Sequence, residues 1–214
     1  MLARDAHHYD NHTRTGPKIF VGEWASQEGR PTPDLEAAMG DAAWLTGLER
    51  NSDLVMIESY APMLVNINPG ASQWPTNLIG YDALHSYGSP SYCVQQMFST
   101  NHGDVVLPTT LTETGGSQIS ESVTRDSKSG TIFVKVVNMT GSPQPIHITV
   151  NGLSGIQPNG KTVVLTSGSP QDTNTLRNPQ NVVPSTRPAQ GMSNDFTFNF
   201  APNSVTVLEI GAHP

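Results

Sequence analysis

The chain has 214 residues, 36% of them hydrophobic, enough for one large domain or two small ones around a real core. Eleven Lys and Arg stand against 18 Asp and Glu, a formal charge of -7 without any basic cluster, which excludes nucleic acid and anionic membrane as natural partners and favours a neutral substrate. Cys93, the one cysteine, excludes an internal disulfide and any Cys-based zinc site.

The opening MLARDAHHYDNHTR lacks the apolar middle of a signal peptide, and no stretch reaches membrane-spanning length. It reads as cytoplasmic in style or as a cut end, which leaves localisation open. His7 and His8 are adjacent on an extended segment, so their side chains point opposite ways and no metal site is expected there. Ile19, Phe20 and Val21 then form a short apolar run of the kind buried in a parallel sheet, and the run delivers Gly22, Glu23 and Trp24.

A helix is expected over residues 34–50. Thr32 is its N-cap in this reading, Pro33 its first helical position, and Asp34 and Glu36 lie near its positive end. Leu35, Ala38, Met39, Ala42 and Leu45 recur at helical spacing and should face a sheet, with Trp44 in the core. DLVMIESYAP follows as a second strand and SPSYCVQQMFS as a second helix. Ser89 caps that helix, Pro90 opens it, and Val94, Met97 and Phe98 form its buried stripe, with Cys93 packing beside them. The order up to about residue 103 is β-α-β-α.

Beyond residue 103 the period becomes two. ISESVTR, TIFVKVV, PIHITV, KTVVLT, DFTFNF and SVTVLEI are separated by turn signals such as Asn151-Gly152 and Pro202-Asn203, which predicts an antiparallel, jelly-roll-like β-sandwich. Residues 167–194, rich in Ser, Pro, Asn and Gln, are expected to wander over the sandwich surface. The division is then 1–102 and 103–214, with the sandwich as the unit that is stable alone. Asn11-His12-Thr13 and Asn138-Met139-Thr140 match the glycosylation pattern, which matters only in a secretory pathway.

Two parallel strands cannot make a covered sheet by themselves, so the first hundred residues read as the last two β/α units of an eightfold barrel. Such barrels place reactive groups at the C-terminal ends of their strands, where Glu23 stands. The blocks GPKIFVGEWAS, AMGDAAWLTGLERNSDLVMIESYAPMLVNIN and QWPTNLIGYDALHSYGSPSYCVQQMFSTNHGD carry this further. From about residue 7 to the closing SVTVLEI the chain resembles the C-terminal half of the α-L-arabinofuranosidases of glycoside hydrolase family 51.

That resemblance implies a β/α barrel joined to a sandwich, with Glu23 as the nucleophile at the end of the seventh strand and DLVMIESYAP as the eighth. It implies hydrolysis of arabinose-containing polysaccharides or oligosaccharides such as arabinan and arabinoxylan, without metal or cofactor. A retaining glycosidase needs a second carboxyl about 5 Å from the first. The family's acid/base belongs to an Asn-Glu block at the end of the fourth strand, and this sequence has no Asn-Glu dipeptide, so the chain carries half of the pair.

Glu58 is the nearest substitute in sequence, but inside a strand it is expected to hydrogen-bond within the sheet. Trp24 and Trp74 are candidates for stacking on a sugar, with packing under a loop as the equal alternative. Unpaired strand edges imply a homo-oligomer or association with a missing N-terminal half. A second function class also stands: a non-catalytic carbohydrate-associated sandwich with the barrel remnant packed on it. The missing acid/base separates the two.

Overall fold

The computed structural model describes residues 2–112 and 118–213. A 3-10 turn at Leu2–Asp5 precedes β1 (Ile19–Trp24), α1 (Leu35–Arg50) and β2 (Val55–Tyr60). Three short strands follow, β3 (Leu64–Asn66), β4 (Ile79–Tyr81) and β5 (Ser86–Gly88), and then α2 (Pro90–Thr100). The rest is β: β6 (Val105–Val106), β7 (Ile119–Arg125), β8 (Ile132–Asn138), β9 (Gln144–Thr149), β10 (Gly155–Ile156), β11 (Asn159–Thr166), β12 (Ser185–Gln190), β13 (Asp195–Phe200), β14 (Ser204–Ile210) and β15 (Ala212–His213).

β1 and β2 pair in parallel, as the apolar run predicted, with Ile19 opposite Val55 and Trp24 opposite Tyr60. Residues 61–88, left unassigned by the sequence, hold a small mixed sheet in which β3 runs parallel to β4 and β4 antiparallel to β5. Strands of three residues are too short for alternation to register.

The larger sheet has the order β12-β11-β14-β8-β7-β6, every pair antiparallel. It is the middle of three layers. On one side Leu208 and Ile210 of β14 and Ile132, Val134 and Val136 of β8 meet Phe196 and Phe200 of β13, which pairs with β9. On the other side Val205 and Val207 of β14, Val137 of β8 and Leu165 of β11 meet α1 and α2. The period of two in these strands therefore separates two cores rather than core from solvent. The helices thus cover Val137, Leu165, Val205 and Val207, each almost wholly buried.

α1 lies between the parallel pair, the large sheet, α2 and the N-terminal turn, and every residue from Ala37 to Leu48 is buried. The small residues make this possible. At Gly47 a Cβ would stand 2.1 Å from the Ala6 carbonyl oxygen, so only glycine admits the N-terminal turn at that distance. The cap is Asp34, not Thr32: the Asp34 carboxylate accepts from the Ala37 N–H at 2.9 Å, while the buried Thr32 hydroxyl turns to Tyr87. Pro33 accordingly precedes the cap. In α2 the cap is Ser89 with Pro90 first, as predicted, and Val94, Met97, Phe98 and Cys93 are buried.

The segment expected to wander over the sandwich instead crosses the start of α1. The Leu35 and Glu36 N–H groups, which no intrahelical acceptor can serve, donate to the Asp172 and Pro170 carbonyls at 2.9 and 2.7 Å. Buried Asn174 donates to the Gly88 and Val182 carbonyls and accepts from the Val182 N–H, and residues 185–190 join the sheet as β12. Backbone partners on another element decide this course, and composition does not encode them.

Between α1 and the sheet sits a buried ion pair. Lys135 of β8 is fully buried, with Nζ 2.5 Å from Glu49 Oε1 and 5.2 Å above the Phe98 ring, and the Ser122 hydroxyl donates to the other Glu49 oxygen. Burial holds the Lys135 pKa below its ordinary value against the opposing pull of Glu49. Glu49→Ala strands the ammonium and should destabilise the chain by about 3–5 kcal/mol. The paired change Glu49→Leu with Lys135→Met should lose far less, and urea midpoints of the three proteins check both expectations.

Candidate active site

Glu23 is the penultimate residue of β1 and is exposed. Trp24 beside it is buried, its ring 5.1 Å from that of Tyr60 in an edge-on arrangement and 6.4 Å from Trp44. Its indole N–H donates to Glu58 Oε2 at 2.5 Å, and its carbonyl accepts from the Ala61 N–H at 3.1 Å. Glu58, half-buried, thus bonds across to the neighbouring strand, as the sequence reading expected. Of the two alternatives open for Trp24, the geometry favours packing: the ring is 6% exposed and lies against Trp44 and Tyr60.

Trp74 is 56% exposed in the loop after β3. Its carbonyl accepts from the Ser72 hydroxyl and from the Asn77 side chain, which fixes the turn beneath it. This loop docks on the one that follows β1: Thr76 donates to the Gly29 carbonyl at 2.8 Å, and the Asn77 N–H to the Pro31 carbonyl at 3.0 Å. Gly29 has φ of +86° and the backbone of Thr32, Pro33 and Asp34 packed where a Cβ would be, so a side chain there would distort the loop between β1 and α1. The structure therefore ties the Trp74 loop to the loop that leaves Glu23.

Sequence reasoning missed Asp41. It lies on α1 among alanines, wholly buried, where its Oδ1 accepts from the Ser26 N–H at 2.9 Å and its Oδ2 from the Ser91 hydroxyl at 2.6 Å. One acid in the run AAMGDAAWL, on a helix with no other charge between Glu36 and Glu49, was the available signal. Burial raises its pKa to about 6, partly offset by those hydrogen bonds, and the Glu28 charge adds to the rise. The Tyr60 hydroxyl is buried in the same place and is pushed well above the ordinary tyrosine range by burial and then by the Asp41 charge.

The histidines occupy other ground. His7 and His8 lie in a run of hydrogen-bonded turns rather than on the extended segment expected, with His7 paired to Asp10 at 2.7 Å and His8 packed against Tyr9 and Trp44. Among the described residues no His, Cys, Asp and Glu side chains gather as a metal site. A groove of about 530 Å³, lined by His7, Asp10, Arg50, Leu107 and Glu121, lies by the last turn of α1. α1 is roughly 24 Å long, and Glu23 belongs to its other end. Cys93 is buried with its sulfur 3.8 Å from the Val182 carbonyl, and burial pushes its thiol up to about 11.

Asp41 should leave a signature in stability. Its folded pKa of about 6 exceeds the ordinary 3.8, so the folded chain holds this proton more tightly, and stability falls as pH rises from about 4 to 6. Asp41→Asn removes that loss. The difference in unfolding free energy between the two proteins should move in favour of Asp41→Asn by about 3 kcal/mol across this window, as measured by urea titration at successive pH values.

The family model for the alpha-L-arabinofuranosidase C-terminal domain matches residues 9–204. The chain is 38% identical over 189 residues to alpha-L-arabinofuranosidase 2 of Arabidopsis thaliana, a match that covers 86% of this chain and 28% of that protein. It is 33% identical over 213 residues to alpha-L-arabinofuranosidase A of Aspergillus niger, covering 97% of this chain and 31% of the relative. Among solved structures, the arabinose-bound MgGH51 α-L-arabinofuranosidase superposes with a TM-score of 0.90 at 35% identity, over 99% of this chain and 35% of that one. An arabinose complex of the Thermotoga maritima α-L-arabinofuranosidase shares the fold at a TM-score of 0.73 and 17% identity. The chain thus spans about a third of the length of the relatives it matches.

Proposed function

The chain belongs to the α-L-arabinofuranosidase C-terminal domain family, and on that premise we propose that it is the C-terminal portion of a retaining glycosidase, with Glu23 as its nucleophile. Its substrates in this reading are arabinan, arabinoxylan and related polymers or oligomers bearing arabinofuranosyl side chains. Residues 1–102 are the last two β/α units of a barrel and 103–214 its sandwich. One observation carries the assignment: an exposed carboxylate ends a parallel strand whose chain then runs into a buried helix.

The barrel reading is supported by the surface left open. Phe20 and Ile57, paired across β1 and β2, are 61% and 59% exposed, and Met56, Met63 and Leu64 add further exposed apolar surface. Further strands would cover it. In the bare chain the same surface should drive association, so light scattering is expected to report a dimer or larger species at micromolar concentration, and Ile57→Lys to weaken it. A strict monomer would contradict the reading.

The chemistry follows from the carboxylates. Glu23 attacks the anomeric carbon, the glycosidic C–O bond breaks, and a glycosyl ester forms on Glu23 while the departing oxygen takes up a proton. Glu58 is engaged by the Trp24 indole, so the proton for a poor leaving group comes from an acid in the preceding part of the barrel. An aryl oxide needs no such help in the first step. The isolated chain is expected to leave arabinan and arabinoxylan intact and to turn over an activated aryl arabinofuranoside slowly, an activity that Glu23→Ala abolishes. Arabinose release from polysaccharide at an ordinary enzyme rate, roughly 1 to 1,000 per second, would mean a second carboxyl within the chain, with Glu58 the first suspect.

A further inference from the structure

We propose that Asp41 is the positioning residue for the Glu23 strand end, tying the backbone just beyond β1 to α1 and to the first turn of α2. The catalytic consequence rests on Glu23 as nucleophile, and the structural part rests on geometry alone.

The sheet itself does not hold Glu23. The register of β1 on β2 pairs Ile19, Phe20, Val21 and Trp24 but breaks between Val21 and Trp24, so neither Gly22 nor Glu23 has a partner in β2. An exposed carboxylate at such a break takes its position from the residues that flank it. On one side Trp24 is fastened by its buried ring and by the bond between its carbonyl and the Ala61 N–H. On the other side, three residues after Glu23, the Ser26 N–H is fastened by Asp41.

Asp41 suits this task because four elements meet at its carboxyl. It rises from the second turn of α1, receives Ser26 from the end of β1 and Ser91 from the start of α2, and has Tyr60, the last residue of β2, buried alongside. The cap of α1 and the strap of residues 170–172 bind its first turn, so the helix is a rigid base for the tie. An apolar group at position 41 would leave the Ser26 N–H and the Ser91 hydroxyl buried without this acceptor. Asparagine would serve both, since its oxygen can accept from Ser26 while its amide donates to the Ser91 oxygen. The fastening therefore depends on hydrogen-bonding capacity at position 41, whether or not the group is charged.

The experiment follows amide exchange by NMR in the 214-residue chain. Asp41→Ala should speed exchange at Ser26 and its neighbours Trp24 and Ala25 by roughly 10- to 100-fold, the effect of losing one bond to a charged acceptor, with β8 and β14 as protected as before. Asp41→Asn should restore the Ser26 rate. In the same samples the slow aryl arabinofuranoside turnover should fall in kcat by roughly 10- to 100-fold with KM unchanged in Asp41→Ala and recover in Asp41→Asn. Unchanged Ser26 exchange in Asp41→Ala, or no recovery in Asp41→Asn, overturns the proposal. Should Asp41→Ala unfold, the unaltered chain decides instead: the Ser26 amide proton shift should follow the titration of the Asp41 carboxyl carbon, and a Ser26 shift that does not follow it overturns the proposal. Turnover that survives Glu23→Ala would defeat the nucleophile reading, and the exchange result would still judge the tie.

Discussion

α1 has no solvent face, and the rest of the structure follows from the need to enclose it. An ordinary amphipathic helix covers one sheet and keeps a polar stripe in water. Here every residue from Ala37 to Leu48 is buried, so the chain supplies walls all round: the parallel pair, the six-stranded sheet, α2 and the N-terminal turn against Gly47. Polar groups brought into that interior must carry their partners with them. Asp41 has Ser26 and Ser91, and Glu49 has Lys135 and Ser122.

The enclosure joins the two halves of the chain. The large sheet gives one face to β13 and β9 and the other to the helices, and the strap of residues 167–184 returns from the sandwich to complete the hydrogen bonds at the start of α1. The start of α1 belongs to the same end of the structure as Glu23, so the sandwich bears on the geometry of the strand end through the helix. At the other end of α1, Arg50 reaches the Glu121 and Ala6 carbonyls and binds the same three parts together.

Much of this was legible from residue order. The apolar run before Glu23, the second helix with its Ser89-Pro90 start, the stripe on the first helix and the alternating strands after residue 103 are local signals, each produced by neighbours in sequence. The family blocks singled out Glu23 for the role proposed for it. Less legible were the three-residue strands between β2 and α2, the move of the cap from Thr32 to Asp34, and the burial of Trp24, because each is settled by a partner far along the chain: β4 for β3, Tyr87 for Thr32, Trp44 and Tyr60 for Trp24.

The sequence by itself determined the two helices, the first parallel strands and the longer alternating strands after residue 103, and that an acid stands at the end of the first strand, since period and local capping depend on residues within a turn or two of each other. Only the tertiary structure decided which faces are buried twice, where the 167–184 segment lies, and that Asp41 is more than one polar residue in an alanine-rich helix. Those outcomes are pairings between groups separated by up to 140 residues, as Pro33 and Thr173 are, and a hydrogen bond of that span leaves no periodic trace in the chain that makes it.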